Sequence, residues 1–256
     1  MADRGIDLRT GPTPVNRSRH VTSLNLVKRL GLLGGMSWES SIEYERTINR
    51  LVRARLGGVA SADLIIRSFN FAQIEALQEA GDWPAAGRLL TGAALDLQVA
   101  GAEGIVICTN TMHRLFDEVE AAASVPVLHI ADPTASAITA AGLTTVALLG
   151  TRYTMEQSFY LDRLQAYGLA VIVPEEPDRT VIHDVIYNEL VRGVCDPISK
   201  AAYLHIIQGL VARGAQGVIA GCTEIELLIG VNDLPVPLFP TAFLHAQAAA
   251  AFALAD

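Results

Sequence analysis

The chain has 256 residues, 51% of them hydrophobic and 18% charged, with a formal net charge of −8. That length allows one large domain or two lobes of about 120 residues, and no apolar run reaches the roughly 18 residues that a bilayer-spanning helix needs. Six of the 19 basic residues but two of the 27 acids fall within residues 1–29, which leaves the body near −12; phosphate binding needs clustered Lys and Arg, so a nucleic-acid partner is not expected.

In chain order, MADRGIDLRTGPTPVNRSRHVTSLN comes first and lacks the apolar stretch of a signal peptide. Residues 1–28 read as a disordered extension or the product of an early start codon. RLGLLGG is followed by the helical pattern SSIEYERTINRLVRARL, and SADLIIRSF by a Gln/Glu/Ala-rich helical region. GAEGIVICT, VPVLHIAD, TTVALLGT, LAVIVPEE, GAQGVIAGCT and VPLFPTA come next. Short β-branched apolar runs between helices are the pattern of buried parallel strands in an α/β fold.

The runs repeat. LGLLGGMSWESSIEY resembles VALLGTRYTMEQSFY, GAEGIVICTNT resembles GAQGVIAGCTE, and VPVLHIAD resembles VPLFPTA, at offsets of 116, 113 and 111 residues. Three matches in the same order and near-constant register indicate two similar halves. The expected fold is therefore two pseudo-symmetric, doubly wound α/β lobes, each with a mainly parallel sheet flanked by helices. The first lobe takes residues 29–130 plus the final helix (242–256), and the second takes 131–241.

The repeat also fixes a register. Sliding GAEGIVICTNT onto GAQGVIAGCTE sets Cys108 on Gly221, Thr109 on Cys222, Asn110 on Thr223 and Thr111 on Glu224. Strand side chains alternate between faces, so one position matters. If Cys222 points into a cleft, its counterpart is Thr109, and Cys108 turns toward the packing side. In parallel α/β sheets ligands bind at the carboxyl ends of strands, where helix N-termini attract anions. Both stretches sit there, so the two lobes are expected to flank a small anionic molecule. Opposed acid and base groups on two faces of one carbon are what stereoinversion requires. A thiol suits the task, because its pKa of about 8.5 falls toward neutrality at a helix N-terminus.

Other chemistries find less support. Only Lys28 and Lys200 offer an amine, so a pyridoxal phosphate Schiff base has almost no candidate nucleophile. The six histidines show no HxxxH or HxH spacing for a metal. Three distant cysteines form neither a disulfide framework nor a zinc ribbon, and a reduced, cytoplasmic compartment is the default. Gly34 and Gly35 do not build GxGxxG, which disfavours a dinucleotide site.

GLLGGMSWESS, CTNTMH, GTRYTMEQ and GCTEIELL together resemble the aspartate/glutamate racemase family, most closely its bacterial broad-specificity amino-acid racemase branch, over about residues 30–254. The resemblance implies a cofactor-independent, two-base racemisation of a small amino acid in a cleft between two lobes, usually in a homodimer. It implies Cys222 as the acid/base serving the L enantiomer. The common family pattern has cysteine directly before Asn-Thr, where this chain has Thr109. A threonine hydroxyl is a poor base at neutral pH, so Thr109 is expected to donate or relay a proton, with D substrates turned over slowly or not at all.

Around these two catalytic candidates, Met36, Gln78, Asn110, Thr111 and Thr223 are expected to contact substrate. Helix capping is the plain alternative for the threonines and asparagine. Glu224 and His113 are expected to support the site, His113 lying one helical turn from Thr109, in place to relay a proton to it or to fill the helix–sheet contact. Trp38 serves equally as a contact or as packing. Arg67, Arg152, Arg179 and Arg192 are open as partners for a distal carboxylate. An arylmalonate-type decarboxylase and a non-catalytic binding homologue are the competing readings.

Overall fold

The computed structural model describes residues 27–255; the extension expected over residues 1–28 lies outside these residues except for Val27 and Lys28. Lys28 N–H donates to Ala253 O at 2.8 Å, and Val27 packs against the core beneath the last helix.

The first half runs β1 (Leu30–Gly34), α1 (Trp38–Leu56), β2 (Leu64–Ser68), α2 (Phe71–Glu79), α3 (Trp83–Val99), β3 (Gly104–Ile107), α4 (Phe116–Ala122) and β4 (Val127–Leu128). The second half runs α5 (Ala131–Ala140), β5 (Thr145–Gly150), α6 (Arg152–Glu156), α7 (Ser158–Ala166), β6 (Ala170–Ile172), α8 (Asp178–Asn188), α9 (Pro197–Ala212), β7 (Val218–Gly221), α10 (Ile225–Leu228), β8 (Leu238–Pro240) and α11 (Thr241–Ala253). The strands form two four-stranded parallel sheets, ordered β2-β1-β3-β4 and β6-β5-β7-β8. The two orders are the same once each strand is matched to its repeat. The α/β fold with two similar parallel sheets is thus as the repeat foretold.

Alternation along the central strands divides each sheet into two cores. Leu30 and Leu32 of β1, with Val106 and Cys108 at β3, pack against α1 and α11. Leu33, Ile105 and Ile107 face the opposite way, toward α3. In the second sheet Val218, Ala220 and Cys222 share one face with residues of α8 and α9, while Ile219 turns to the other. Cys222 therefore continues the Val218–Ala220 face, as Thr109 continues the alternation of Ile105 and Ile107. Cys108 is on the packing side, 1% exposed, with its thiol near Val106 O.

The helices that follow β4 and β8 cross over. Alanines of α11 fill the core under β1, and Ile138 and Ala135 of α5 fill the core under β5 and β7. Three buried histidines secure these crossings. His245 on α11 bonds Tyr44 OH of α1 through Nδ1 and Leu128 O of β4 through Nε2, both at 3.1 Å. His113 bonds Thr109 O through Nδ1 at 2.7 Å and accepts from Ile130 N at Nε2 at 3.0 Å. His129 lies beside it, ring centroids 4.6 Å apart. A carbonyl only accepts and an N–H only donates, so each backbone bond fixes a neutral tautomer.

Burial holds His113 down to about 4 and His245 to about 3. An unfolded histidine titrates near 6.5, so between these values the unfolded chain binds protons that the folded chain refuses. Stability is then full above about pH 6.5 and lost as pH falls toward 4, at about 1.4 kcal/mol per pH unit for each histidine. Urea unfolding at half-unit pH steps should show midpoints falling below pH 6.5, with a slope reduced by Glu226, whose carboxyl burial raises to about 8 and which offsets one histidine's share. A constant midpoint between pH 6.5 and 5 would overturn this.

Candidate active site

The site forms where the carboxyl ends of β1, β3, β5 and β7 meet. After β1 the chain must turn away from the sheet at Gly35, whose φ is +80° and whose missing Cβ leaves room for the backbone of Phe69. A side chain there would be strained and would collide. The turn delivers Met36, buried at the cavity wall, and Ser37. Ser37 precedes α1 in the N-cap position but makes no cap bond; its hydroxyl instead donates to Glu224 Oε1 at 2.7 Å. After β5, Thr151 caps α6 and also shares a hydroxyl bond with Thr111 at 2.9 Å. The first-half turn thus reaches the loop after β7, and the second-half turn reaches the loop after β3.

Cys222 and Thr109 line one cavity, together with Met36, Gln78, Thr111 and Glu224. Phe71, Thr151, Ile186, Tyr187 and Val191 complete the wall. Two expected contacts, Asn110 and Thr223, and the supporting His113 point elsewhere. Asn110 donates to Thr241 Oγ1 at 2.9 Å, and its Oδ1 is buried without a partner. Thr223 donates to Glu224 Oε2 at 2.9 Å. His113 meets the Thr109 carbonyl, not its hydroxyl, and its second nitrogen is taken by Ile130 N–H. The proton relay expected of His113 is therefore corrected to a backbone brace, since neither ring nitrogen is free to serve the hydroxyl.

The Cys222 thiol donates to Glu224 Oε2 at 2.9 Å. Burial, and then the adjacent Glu224 carboxylate, push the thiol well above its ordinary range. The sequence pattern pointed the other way, toward a thiol acidified by a helix N-terminus. That helix, α10, spans only Ile225–Leu228. One turn aligns few peptide dipoles, and a full negative charge in van der Waals reach of the sulfur outweighs them. A Glu224 N–H also faces the thiol and opposes the rise, but by less.

The cavity is narrow, with a volume of about 20 Å³, room for roughly one water and not for an amino acid. Its roof is a latch between the halves. Tyr187 OH of α8 donates to Gln78 Oε1 of α2 at 2.8 Å, and Tyr153 OH donates to Gln78 O at 3.1 Å. Phe71 stacks on Tyr187 with centroids 6.3 Å apart. Beyond the latch an outer chamber of about 290 Å³ shares Gln78 and Tyr187 with the inner one. Gln78 is 4% exposed, not the solvated helical glutamine that its sequence neighbours allow.

Ser37, Thr151, Tyr153 and Tyr187 carry much of this geometry and are not singled out by spacing. A turn serine or threonine before a helix reads as a cap, and only the partner half shows the second use. Trp38 is 61% exposed and contributes to neither cavity nor core. Arg67 lies over the Phe69 ring at 4.9 Å, and Arg152 and Arg179 both approach Glu156. Arg192 lines the outer chamber.

A neutral hydrogen bond is worth about 1 kcal/mol, or about fivefold in an opening equilibrium. Tyr187→Phe should therefore expose Cys222 about fivefold more to iodoacetamide, read by site-resolved mass spectrometry against exposed Cys195. Equal alkylation of Cys222 in variant and parent would show that the latch does not govern access.

Comparison with known proteins agrees with this fold. The family model for Asp/Glu/hydantoin racemase matches residues 33–249. A candidate Asp/Glu racemase from Yersinia pestis is 52% identical, with 89% of this chain and 100% of that chain covered and a TM-score of 0.83. An aspartate racemase homologue from Pyrococcus horikoshii is 33% identical over 88% of this chain and 99% of that one, with a TM-score of 0.76. The broad specificity amino-acid racemase RacX of Bacillus subtilis is 26% identical over 148 residues, 57% of this chain and 62% of that protein, so the match spans less than two thirds of that curated relative. The chain belongs to the Asp/Glu/hydantoin racemase family.

Proposed function

We propose that the protein is an amino-acid racemase, an isomerase that removes and returns the Cα proton without a cofactor. The observation that carries this reading is the placement of Cys222 and Thr109, equivalent positions of the repeat, on one cavity between two equivalent sheets. Cys222 serves the L enantiomer and Thr109 holds the opposite flank.

The resting thiol is protonated, and outright ionisation beside Glu224 in a buried cavity is costly. Transfer of the thiol proton along its bond to Glu224 Oε2 leaves the net charge of the pair unchanged, so burial opposes it less. The thiolate then takes the Cα proton of an L substrate, and the electron pair delocalises into the α-carboxylate. The Thr109 hydroxyl gives its proton to the opposite face to form the D product, and solvent returns a proton to Thr109 as Glu224 releases its own, restoring the starting state. Thr111, which lines the cavity, is the contact for the α-carboxylate. With a hydroxyl in place of a second thiol, D substrates are deprotonated slowly.

No helix among the described residues is long and apolar enough to cross a membrane, and all three cysteines are free. Both facts suit the cytoplasmic placement, which with the homodimer forms part of this proposal; sedimentation velocity reads the latter.

The test is α-proton washout in D2O, followed by NMR, with chirality read on the same samples. Cys222→Ala should lower washout from L substrates by about 10²- to 10⁴-fold, the usual worth of a positioned acid/base; full activity would sink the assignment. Glu224→Gln removes the proton acceptor while burial, the larger cause, still holds the thiol up. Its L-exchange should fall at pH 7 and recover as pH rises and solvent hydroxide takes the proton. A rate equal to the parent at pH 7 would remove Glu224 from the mechanism. No exchange from any amino acid would return the decarboxylase and binding-protein readings.

A further inference from the structure

The inner cavity and the outer chamber share Gln78 and Tyr187 as a common wall, with Cys222 on the inner side. Among the described residues, no Lys or Arg lines the inner cavity, whose one charged wall group is Glu224. The rest of that wall is apolar or hydroxylic, with Phe71, Ile186 and Val191 among it. The outer chamber presents Glu75, Glu79 and Asp184 against the single guanidinium of Arg192. His183 adds no lasting charge there, because burial lowers its affinity for a proton.

A second carboxylate on the substrate would thus meet Glu224 inside, or three carboxylates outside. A buried or half-buried anion needs a cation or several donors to offset its lost hydration. The arginines with known neighbours do not supply one: Arg179 is drawn to Glu156 and Glu176, and Arg152 to Glu156. A neutral or cationic side chain meets no such conflict. The reacting Cα, ammonium and α-carboxylate fill the inner space once it opens, so a longer side chain must extend past Gln78 and Tyr187.

Resting on the racemase reading, we propose that this site selects amino acids whose side chain carries no carboxylate, and that this side chain occupies the outer chamber. Glu79 and Asp184 act there as specificity-determining residues against aspartate and glutamate.

The experiment compares washout from isosteric pairs, L-glutamine with L-glutamate and L-asparagine with L-aspartate, plus L-lysine, on the full chain at constant ionic strength. In kcat/KM, L-glutamine should exceed L-glutamate by at least tenfold, and L-lysine should also exceed L-glutamate. The double variant Glu79→Gln/Asp184→Asn should shrink the glutamine-to-glutamate ratio at least threefold. L-glutamate equal to or better than L-glutamine, with exchange intact, overturns this proposal and leaves the racemase reading standing. A preference for glutamine that the double variant leaves unchanged overturns the placement of the side chain in the outer chamber. No exchange from any amino acid overturns both readings.

Discussion

The hydrogen bond from Ser37 Oγ to Glu224 Oε1 is the tie on which the site depends. It spans 187 positions of sequence and joins the turn after β1 to the loop after β7. The Thr111–Thr151 bond makes the reciprocal crossing, from the loop after β3 to the turn after β5. Each half therefore completes the other's reactive loop. Because Glu224 also receives Cys222 and Thr223, the same carboxylate fixes where the thiol points. A buried acceptor that lost one of these donors would bear a desolvation cost of about 1–3 kcal/mol. The arrangement of the halves and the state of the thiol are thereby one property of the molecule.

That coupling explains why the thiol is not poised as an anion. Burial, and then the carboxylate at 2.9 Å, oppose a negative charge on the sulfur. The fold has instead kept a proton between two acids, which is a useful reservoir for a reaction that ends with as many protons as it began. Thr109 differs: its backbone carbonyl is braced by neutral His113, and a hydroxyl is a far weaker base than a thiolate. The two flanks are equivalent in backbone and unequal in chemistry.

Much of this was legible in the chain. Each of the eight strands appears as a short apolar run, and near-constant offsets exposed the duplication before any coordinates. The shift that pairs Thr109 with Cys222 followed from the register of the repeat, and the burial of Cys108 under α1 and α11 is what strand alternation then requires. What stayed hidden shares one cause. The use of Ser37, the crossing of Thr151 and the burial of Gln78 depend on how two halves face each other, which periodicity within one half does not encode. The thiol's direction of shift failed for a related reason: the sequence displays a helix start after Cys222 but not the burial of the sulfur beside the Glu224 carboxylate, which raises it.

The narrow cavity bears on how binding energy is used. An amino acid enters only if Gln78 separates from Tyr187 and Tyr153, while the deeper Ser37–Glu224 and Thr111–Thr151 bonds hold the loops in place. The latch is built from neutral hydrogen bonds and one aromatic stack, each worth about 1 kcal/mol, so opening is cheap. The deeper bonds are fully buried, and one of them ends on a carboxylate, so separating them costs more. Motion is therefore concentrated at α2 and α8, on the side of the outer chamber, and the reacting groups keep their positions. Closing over a bound substrate restores the latch and expels water from around the thiol, and a site that begins and ends closed shields the carbanion from solvent protons arriving on the wrong face.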